Sequence, residues 1–315
     1  MYNVDTSDEI RLKLGLPVNV ARSIFDNVRD KSVPLVAITR NWWDALFVYF
    51  GARKSARMEF RDGAAFELSK DNLMEFFLKL DHDYAMSHTK FDEGRIRPLR
   101  RIKMDEKAEV SILREFNYDI HACLDVKGKD VIDLGANVGD TSLYYVLRGK
   151  AKHVYAIEAY SYYCDIGKSL VKANRLSDRI TMYNCAVGER DGTVYTAEDK
   201  SDYEVRASRD ETHTVPMRCY SLDSLVRMLK IGKDAALKVD VEGSEYGIFR
   251  TASMGTLKRF SGIHIEYHYG YADLVRRLEA AGFEVKHTRP VYGFGGLSNR
   301  AKIMGEIIAT RAKAK

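Results

Sequence analysis

The chain has 315 residues, 45% apolar and 30% charged, with only 5 Pro and 22 Gly. That balance excludes a disordered, collagen-like or low-complexity chain, and the length allows two domains or one large α/β domain with an appendage. The net charge of +5 suits an anionic partner without identifying one.

The N-terminus, MYNVDTSDEIRLKL, mixes acids and bases where a signal peptide carries an apolar run, and no stretch reaches the apolar length of a membrane helix. A cytoplasmic location is expected. Cys123, Cys164, Cys185 and Cys219 form no CxxC pair, so neither a zinc ribbon nor a disulfide scaffold is expected.

Up to about residue 92 the signals are local. Asn41 is placed to cap a helix carrying Trp42, Trp43, Leu46, Phe47 and Phe50 on one stripe, a pattern read as core, and Asp71 is placed to cap a second with Leu73, Phe76, Phe77 and Leu80. Between them Met58–Arg61 and Ala64–Leu68 flank Asp62-Gly63, which predicts a hairpin with a two-residue I′ turn. The segment 95–103, RIRPLRRIK, holds five basic residues and no acid, and reads as a solvated connector. Residues 1–109 are therefore assigned to a small α+β appendage and connector, and 110–315 to a separate domain.

From about 110 onward short apolar runs alternate with amphipathic helical patterns, the signature of a parallel sheet covered by helices. Strands are expected at 130–134, 153–158, 180–186, 235–241, 261–268, 283–287 and 303–310, with an inserted pair near 193–196 and 213–218. Ser221 is the expected cap of a helix with Leu222, Leu225, Val226 and Leu229 inward. A later helix with Leu274, Val275, Leu278 and Ala281 inward should stop at Gly282. The GFGG segment at 293–296 reads as a hairpin loop.

The first strand of this region runs Val131-Ile132-Asp133-Leu134 into Gly135-Ala136-Asn137-Val138-Gly139, a turn whose small residues let a ligand approach the backbone. A dinucleotide fingerprint would place glycine at 137, so Asn137 argues against NAD. The second strand ends in Glu158, placed to accept hydrogen bonds from both hydroxyls of a ribose. Asp133, beside the turn, is a candidate for a cofactor's amino group. The third strand tip brings Asn184, Cys185 and Ala186 toward an adenine ring. Together these point to S-adenosylmethionine.

The fourth strand carries Lys238, Asp240 and Glu242 on alternate positions, and the fifth carries His264, Glu266 and His268. Acids at a strand tip are costly without partners, which marks Lys238, Asp240, Glu242, Glu266 and His268 as the candidate catalytic set. Two readings stay open. One is a general base, Asp240, Glu242 or His268, taking a hydroxyl proton; the other is a divalent ion held by carboxylates and imidazole, for which no compact motif calls and which is not assigned. Glu245 reads as a residue of a helical first turn.

The strings VIDLGANVGDTS (131–142), YAIEA (155–159), NCAVGERDG (184–192), YSLDSL (220–225), LKVDVEGSEYGIF (237–249) and IHIEYH (263–268) resemble the FkbM family of S-adenosylmethionine-dependent methyltransferases. The K-x-D-x-E-G-x-E string from Lys238 to Glu245 is the specific part. The resemblance implies a class I methyltransferase fold: α/β, Rossmann-like, with a seven-stranded, mostly parallel sheet and helices on both faces. It implies methyl transfer to a hydroxyl of a sugar, glycolipid or other small natural product. Asp133, Gly135, Ala136, Asn137, Gly139, Glu158, Ala159, Asn184, Cys185, Ala186 and Asp240 would then hold the cofactor. Two other readings are an RNA methyltransferase gripping phosphates through 95–103, and a non-catalytic binding protein with this fold. Nucleic acid is not the expected partner, and a homodimer through the N-terminal region is left open.

Overall fold

The computed structural model describes residues 35–70, 76, 80, 108, 111, 112, 115, 116, 121–197, 214–288, 290–294 and 301–311. The helix expected after Asp71, apart from Phe76 and Leu80, the basic segment 95–103 and residues 295–296 of the GFGG segment lie outside the described residues. The chain divides into two compact units, a smaller one holding the described residues up to 116 and a larger one holding those from 121. Residues 111, 112, 115 and 116 group with the smaller unit.

In the smaller unit helix α1 (Trp42–Tyr49) is followed by strands β1 (Ser55–Glu59) and β2 (Ala65–Ser69), paired antiparallel with Met58 opposite Phe66. Met58, Phe60 and Leu68 are buried against Ala45, Val48 and Phe76, as the alternation predicts. The turn differs from expectation. Gly63 N–H donates to Phe60 O, Phe60 N–H donates to Ala64 O, and Gly63 alone has positive φ, at 94°. This is a three-residue loop closed by glycine, because Asp62 keeps an ordinary φ and accepts from Ala64 N–H instead.

Asn41 also departs from its expected role. Its side chain does not cap α1; it donates to Asp44 and to Arg57 O and accepts from Glu59 N–H, so it ties the helix start to the hairpin. The aromatic stripe is core only in part, with Trp42 and Leu46 packed against the buried cluster. A two-stranded hairpin covers one face of α1, taking Ala45 and Val48, and Trp43, Phe47 and Phe50 remain exposed at 48%, 44% and 62%.

In the larger unit one sheet has the order β11-β13-β10-β9-β3-β4-β5, with β12 (Val291–Phe294) paired to β13 at its far side. Its strands are β3 (Asp130–Leu134), β4 (His153–Glu158), β5 (Ile180–Asn184), β9 (Ala235–Val239), β10 (Phe260–Tyr267), β11 (Phe283–His287) and β13 (Ala301–Arg311). All neighbours are parallel except at β13, which runs antiparallel to β10 and β11.

The chain moves outward from β3 through β4 and β5, then returns to β9 on the other side of β3. Right-handed crossovers therefore put α2 (Asp140–Leu147) and α3 (Ser161–Ala173) on one face. They put α5 (Glu245–Thr251) and α6 (Met254–Leu257) on the other. The crevice between β3 and β9 is the topological switch point, where ligands bind in open α/β sheets. Beneath it Ile132, Leu134, Leu237, Val239, Ile263, Ile265, Ile248 and Phe249 are almost completely buried, which makes the strand tips a rigid support.

The third strand ends earlier than expected. Cys185 breaks it, and β6 (Ala186–Gly188) leaves to join β8 (Thr214–Ser221) and β7 (Gly192–Ala197) in a separate three-stranded sheet. Helix α4 (Leu222–Met228) follows, capped by Ser221, whose Oγ accepts from Ser224 N–H. Helix α7 (Ala272–Ala280) buries Leu274 and Leu278, and the chain turns at Gly282 with φ of 89°.

Candidate active site

At the tip of β3 the chain enters a turn clamped from both sides. Gly135 and Ala136 N–H both donate to Ile157 O at the end of β4, and Asp240 N–H, after β9, donates to Leu134 O. Gly135 has φ of 75°, and a Cβ there would lie 1.6 Å from the Asp240 carbonyl oxygen. Only glycine permits that approach. Asn137 is left-handed at φ 48°, and Gly139, at 80°, opens α2.

Glu158 at the tip of β4 is the polar centre of this half. One carboxylate oxygen accepts from Asn137 N–H and the other from Tyr160 N–H, each at 2.7 Å. Burial pushes its pKa up to about 7 against the opposing pull of those two amides. Each oxygen keeps lone-pair capacity beyond its amide bond, as two ribose hydroxyls require. Glu158 lines a cleft with Gly135, Asn137, Ala159, Tyr160, Cys185 and Ala186, and the wall continues to Asp240 and Glu242. Apolar Leu134, Ile157 and Val187 also line it, so a carboxylate for a sugar and apolar side chains for a base share one cleft. These residues fit an adenosine-containing cofactor.

Three expected contacts fall elsewhere. Asp133 is fully buried under the turn, where one oxygen accepts from Ser142 Oγ at 2.6 Å and the other lies 3.4 Å from Lys238 Nζ. Its carboxylate faces the sheet interior and not the cleft, because the alternation that places Ile132 on one face puts Asp133 on the other. Asn184 is exposed and donates to the carbonyls of Glu158 and Ala159, steadying the strand end. Gly139 backs toward Gly167 and Met182, where it serves helix packing. Burial pushes the Cys185 thiol up to about 12, in keeping with a packing role.

The other half of the cleft is built after β9. That strand stops at Val239, so Asp240 and Glu242 sit in the loop beyond it, not on the strand face. Glu242 and Gly243 both have positive φ, at 51° and 107°, and a Cβ at 243 would lie 2.7 Å from the Tyr269 ring. The loop is held by Glu245, whose Oε1 accepts from Val241 and Gly243 N–H.

Lys238 is buried beneath this loop. Its Nζ donates to Gly135 O at 2.9 Å and lies 3.4 Å from Asp133 and 3.7 Å from Asp240. Burial would lower the ammonium pKa, but Asp133 and Asp240 outweigh it and the pKa is raised. Lys238 therefore positions the turn and Asp240 from below the cleft.

His268, just beyond β10, is completely buried. Its Nδ1 lies 2.9 Å from Glu245 Oε1, and its Nε2 is 3.3 Å from Glu242, 3.9 Å from Asp240 and 4.0 Å from Glu266. Burial alone would lower the imidazole pKa; Glu245, Glu242 and Asp240 together hold it up at about 9. Glu266 keeps over a third of its side chain exposed, and burial of the rest with Asp240 nearby raises its pKa. The structure thus brings Asp240, Glu242, Glu266 and His268 together.

Glu245 is the residue that sequence reasoning did not place here. It does open α5, as the sequence predicts, and its full burial and its bond to His268 also make it the group that orients the imidazole. His264 lies deeper, opposite Lys238, with its ring 5.2 Å from His121 and its Nε2 3.8 Å from Glu306; it is not in the cleft wall.

The strand order, the antiparallel β13 and the glycine turn facing an acid at the neighbouring strand tip define a class I methyltransferase fold. Residues 133–285 match the family model described as the methyltransferase FkbM domain. A comparison with curated protein sequences gives no match. Among solved structures, the chain is similar to precorrin-6y C5,15-methyltransferase from Geobacter metallireducens GS-15. That likeness has 12% identity over 68% of this chain and 95% of the other, with a TM-score of 0.38. It is also similar to the methyltransferase FkbM from Methylobacillus flagellatus KT, with 14% identity over 72% of this chain and 60% of the other and a TM-score of 0.38. A third is TrmK of M. capricolum, in complex with S-adenosyl-homocysteine, with 11% identity over 66% and 70% and a TM-score of 0.37.

Proposed function

We propose that the protein is an S-adenosylmethionine-dependent O-methyltransferase whose acceptor is a hydroxyl of a sugar, glycolipid or other small natural product. The observation that carries this reading is the continuity of one cleft from the buried carboxylate of Glu158 to the acids Asp240 and Glu242. A carboxylate suited to a ribose and a second acidic group at the far end serve two different molecules held side by side.

When bound, the cofactor supplies an electrophilic methyl group on a sulfonium. Glu158 accepts the ribose hydroxyls, the backbone at Gly135 to Asn137 gives close approach, and Ala159, Cys185 and Ala186 line the adenine end. Asp240 closes the cleft where the two halves meet. Glu242 takes the proton of the acceptor hydroxyl, a step that lowers the barrier when an alcohol oxygen is the nucleophile. His268, its ring fixed by Glu245, orients this carboxylate cluster.

The test is a calorimetric titration of the purified chain with S-adenosylhomocysteine, with NAD as the control. Saturable micromolar binding of the first without the second is expected, and sugar and glycolipid acceptors then follow. No heat from S-adenosylhomocysteine with a folded, ligand-free sample overturns the reading and leaves a scaffold or another nucleotide.

A further inference from the structure

We propose that Asp240, Glu266 and His268 form a binding site for a divalent cation at the acceptor end of the cleft. The inference deepens the function proposed above and rests on it for the ion's chemical role, though not for the binding itself. One ligand atom from each of the three residues lies within 4.8 Å of the others. The His268 Nε2 distances of 3.9 Å to Asp240 and 4.0 Å to Glu266 are just under twice an ion–ligand bond of about 2.1 Å. An ion fits between them with small side-chain adjustments.

The second observation is His268 itself. The side chain is completely buried, and Nε2 has no hydrogen-bond partner although it points at three carboxylates. Its other nitrogen is engaged by Glu245 at 2.9 Å. A carboxylate on the far ring nitrogen is the usual support of a metal-bound histidine, because it fixes the ring and makes the free nitrogen a better donor. Lys238 lies 3.7 Å from Asp240 on its other oxygen, and a dication held by Asp240, Glu266 and Nε2 would answer the carboxylate charge that this one ammonium leaves.

Two carboxylates and one imidazole suit a cation of mixed oxygen and nitrogen preference, of which Mn²⁺ is the practical probe. Three protein ligands leave further coordination positions, and Asp240, one of the three, lines the cleft. An acceptor hydroxyl brought there loses its proton more readily. The proton passes to Glu242, outside the ligand set, as the oxygen–carbon bond forms and the sulfur–carbon bond breaks.

The experiment titrates Mn²⁺ into the chelator-treated full chain, followed by calorimetry and by loss of the free-ion paramagnetic resonance signal, with S-adenosylhomocysteine titrated into the same samples. One saturable Mn²⁺ per chain is expected, with affinity weakened roughly tenfold or more in Glu266→Gln and in His268→Gln. S-adenosylhomocysteine affinity is expected to be nearly unchanged in Glu266→Gln. Glu266 is partly exposed, so its variant keeps the test available if His268→Gln unfolds. S-adenosylhomocysteine binding without Mn²⁺ binding overturns the cation site and leaves the cofactor reading standing. Mn²⁺ binding equally tight in the folded Glu266→Gln variant also overturns the site. Mn²⁺ binding lost on substitution, with no S-adenosylhomocysteine binding at all, upholds the site and overturns the methyltransferase reading.

Discussion

Lys238 Nζ donates a hydrogen bond to the carbonyl oxygen of Gly135, 2.9 Å away and 103 residues earlier in the chain. The bond ties the turn beside Glu158 to the strand that leads into the Asp240 loop. A single buried ammonium thus holds together the two halves of the site, with Asp133 and Asp240 as its counter-charges.

Lys238→Met removes that ammonium and leaves Asp133 buried opposite an apolar group. Removing one partner of a buried ion pair costs about 3–5 kcal/mol. Chemical denaturation should show a loss of this size, with S-adenosylhomocysteine affinity also reduced as the turn loosens. An unchanged midpoint would mean that Asp133 is satisfied by Ser142 alone.

Gly135→Ala places a methyl group 1.6 Å from the Asp240 backbone oxygen at a φ of 75°. No side-chain rotation relieves a clash with backbone, so the cost should exceed roughly 3 kcal/mol. The expected outcome is insoluble or partly unfolded protein, or a folded protein without S-adenosylhomocysteine binding, read by circular dichroism and calorimetry.

Glu158 gives a pH dependence whose sign follows from its raised pKa. The folded, ligand-free chain favours the neutral acid, so ionising this group costs stability as pH rises from the ordinary carboxyl range through about 7. Ribose hydroxyls are best accepted by the carboxylate. S-adenosylhomocysteine affinity should therefore plateau above pH 7 and fall below it by up to about tenfold per pH unit. Calorimetry from pH 5.5 to 8.5 checks this, and Glu158→Gln should bind weakly with a flat profile.

Glu242→Gln keeps the size of the side chain and removes the proposed proton acceptor. Turnover of an accepted substrate should drop by roughly 10²-fold or more, while S-adenosylhomocysteine affinity stays close to that of the parent chain. Equal loss of cofactor affinity in Glu158→Gln and Glu242→Gln would break the division of the cleft into cofactor and acceptor ends.

The main sheet was legible from the chain because buried parallel strands are short apolar runs, interrupted in Val131–Leu134 by Asp133 alone and in Ala235–Val239 by Lys238 alone. Glu158 and Asp240 stood out because a charged group at the end of such a run is costly without a partner. The exposed face of α1 was not, since helical spacing defines a stripe without saying whether two strands suffice to cover it. Nor was the three-residue loop at Gly63, where Asp62 had two available conformations and only the strand register selects between them.

By itself the amino-acid sequence determined the strand order's raw material: the apolar runs, the glycine turn, and the acids at the strand tips, all set by local spacing and side-chain chemistry. The tertiary structure alone decided what each charge meets. Asp133 was turned inward to Ser142 and Lys238, and Glu245 was carried back to His268 across 23 residues by the left-handed bend at Glu242 and Gly243. Spacing along a chain specifies which face a residue occupies; burial and pairing depend on which other face closes over it.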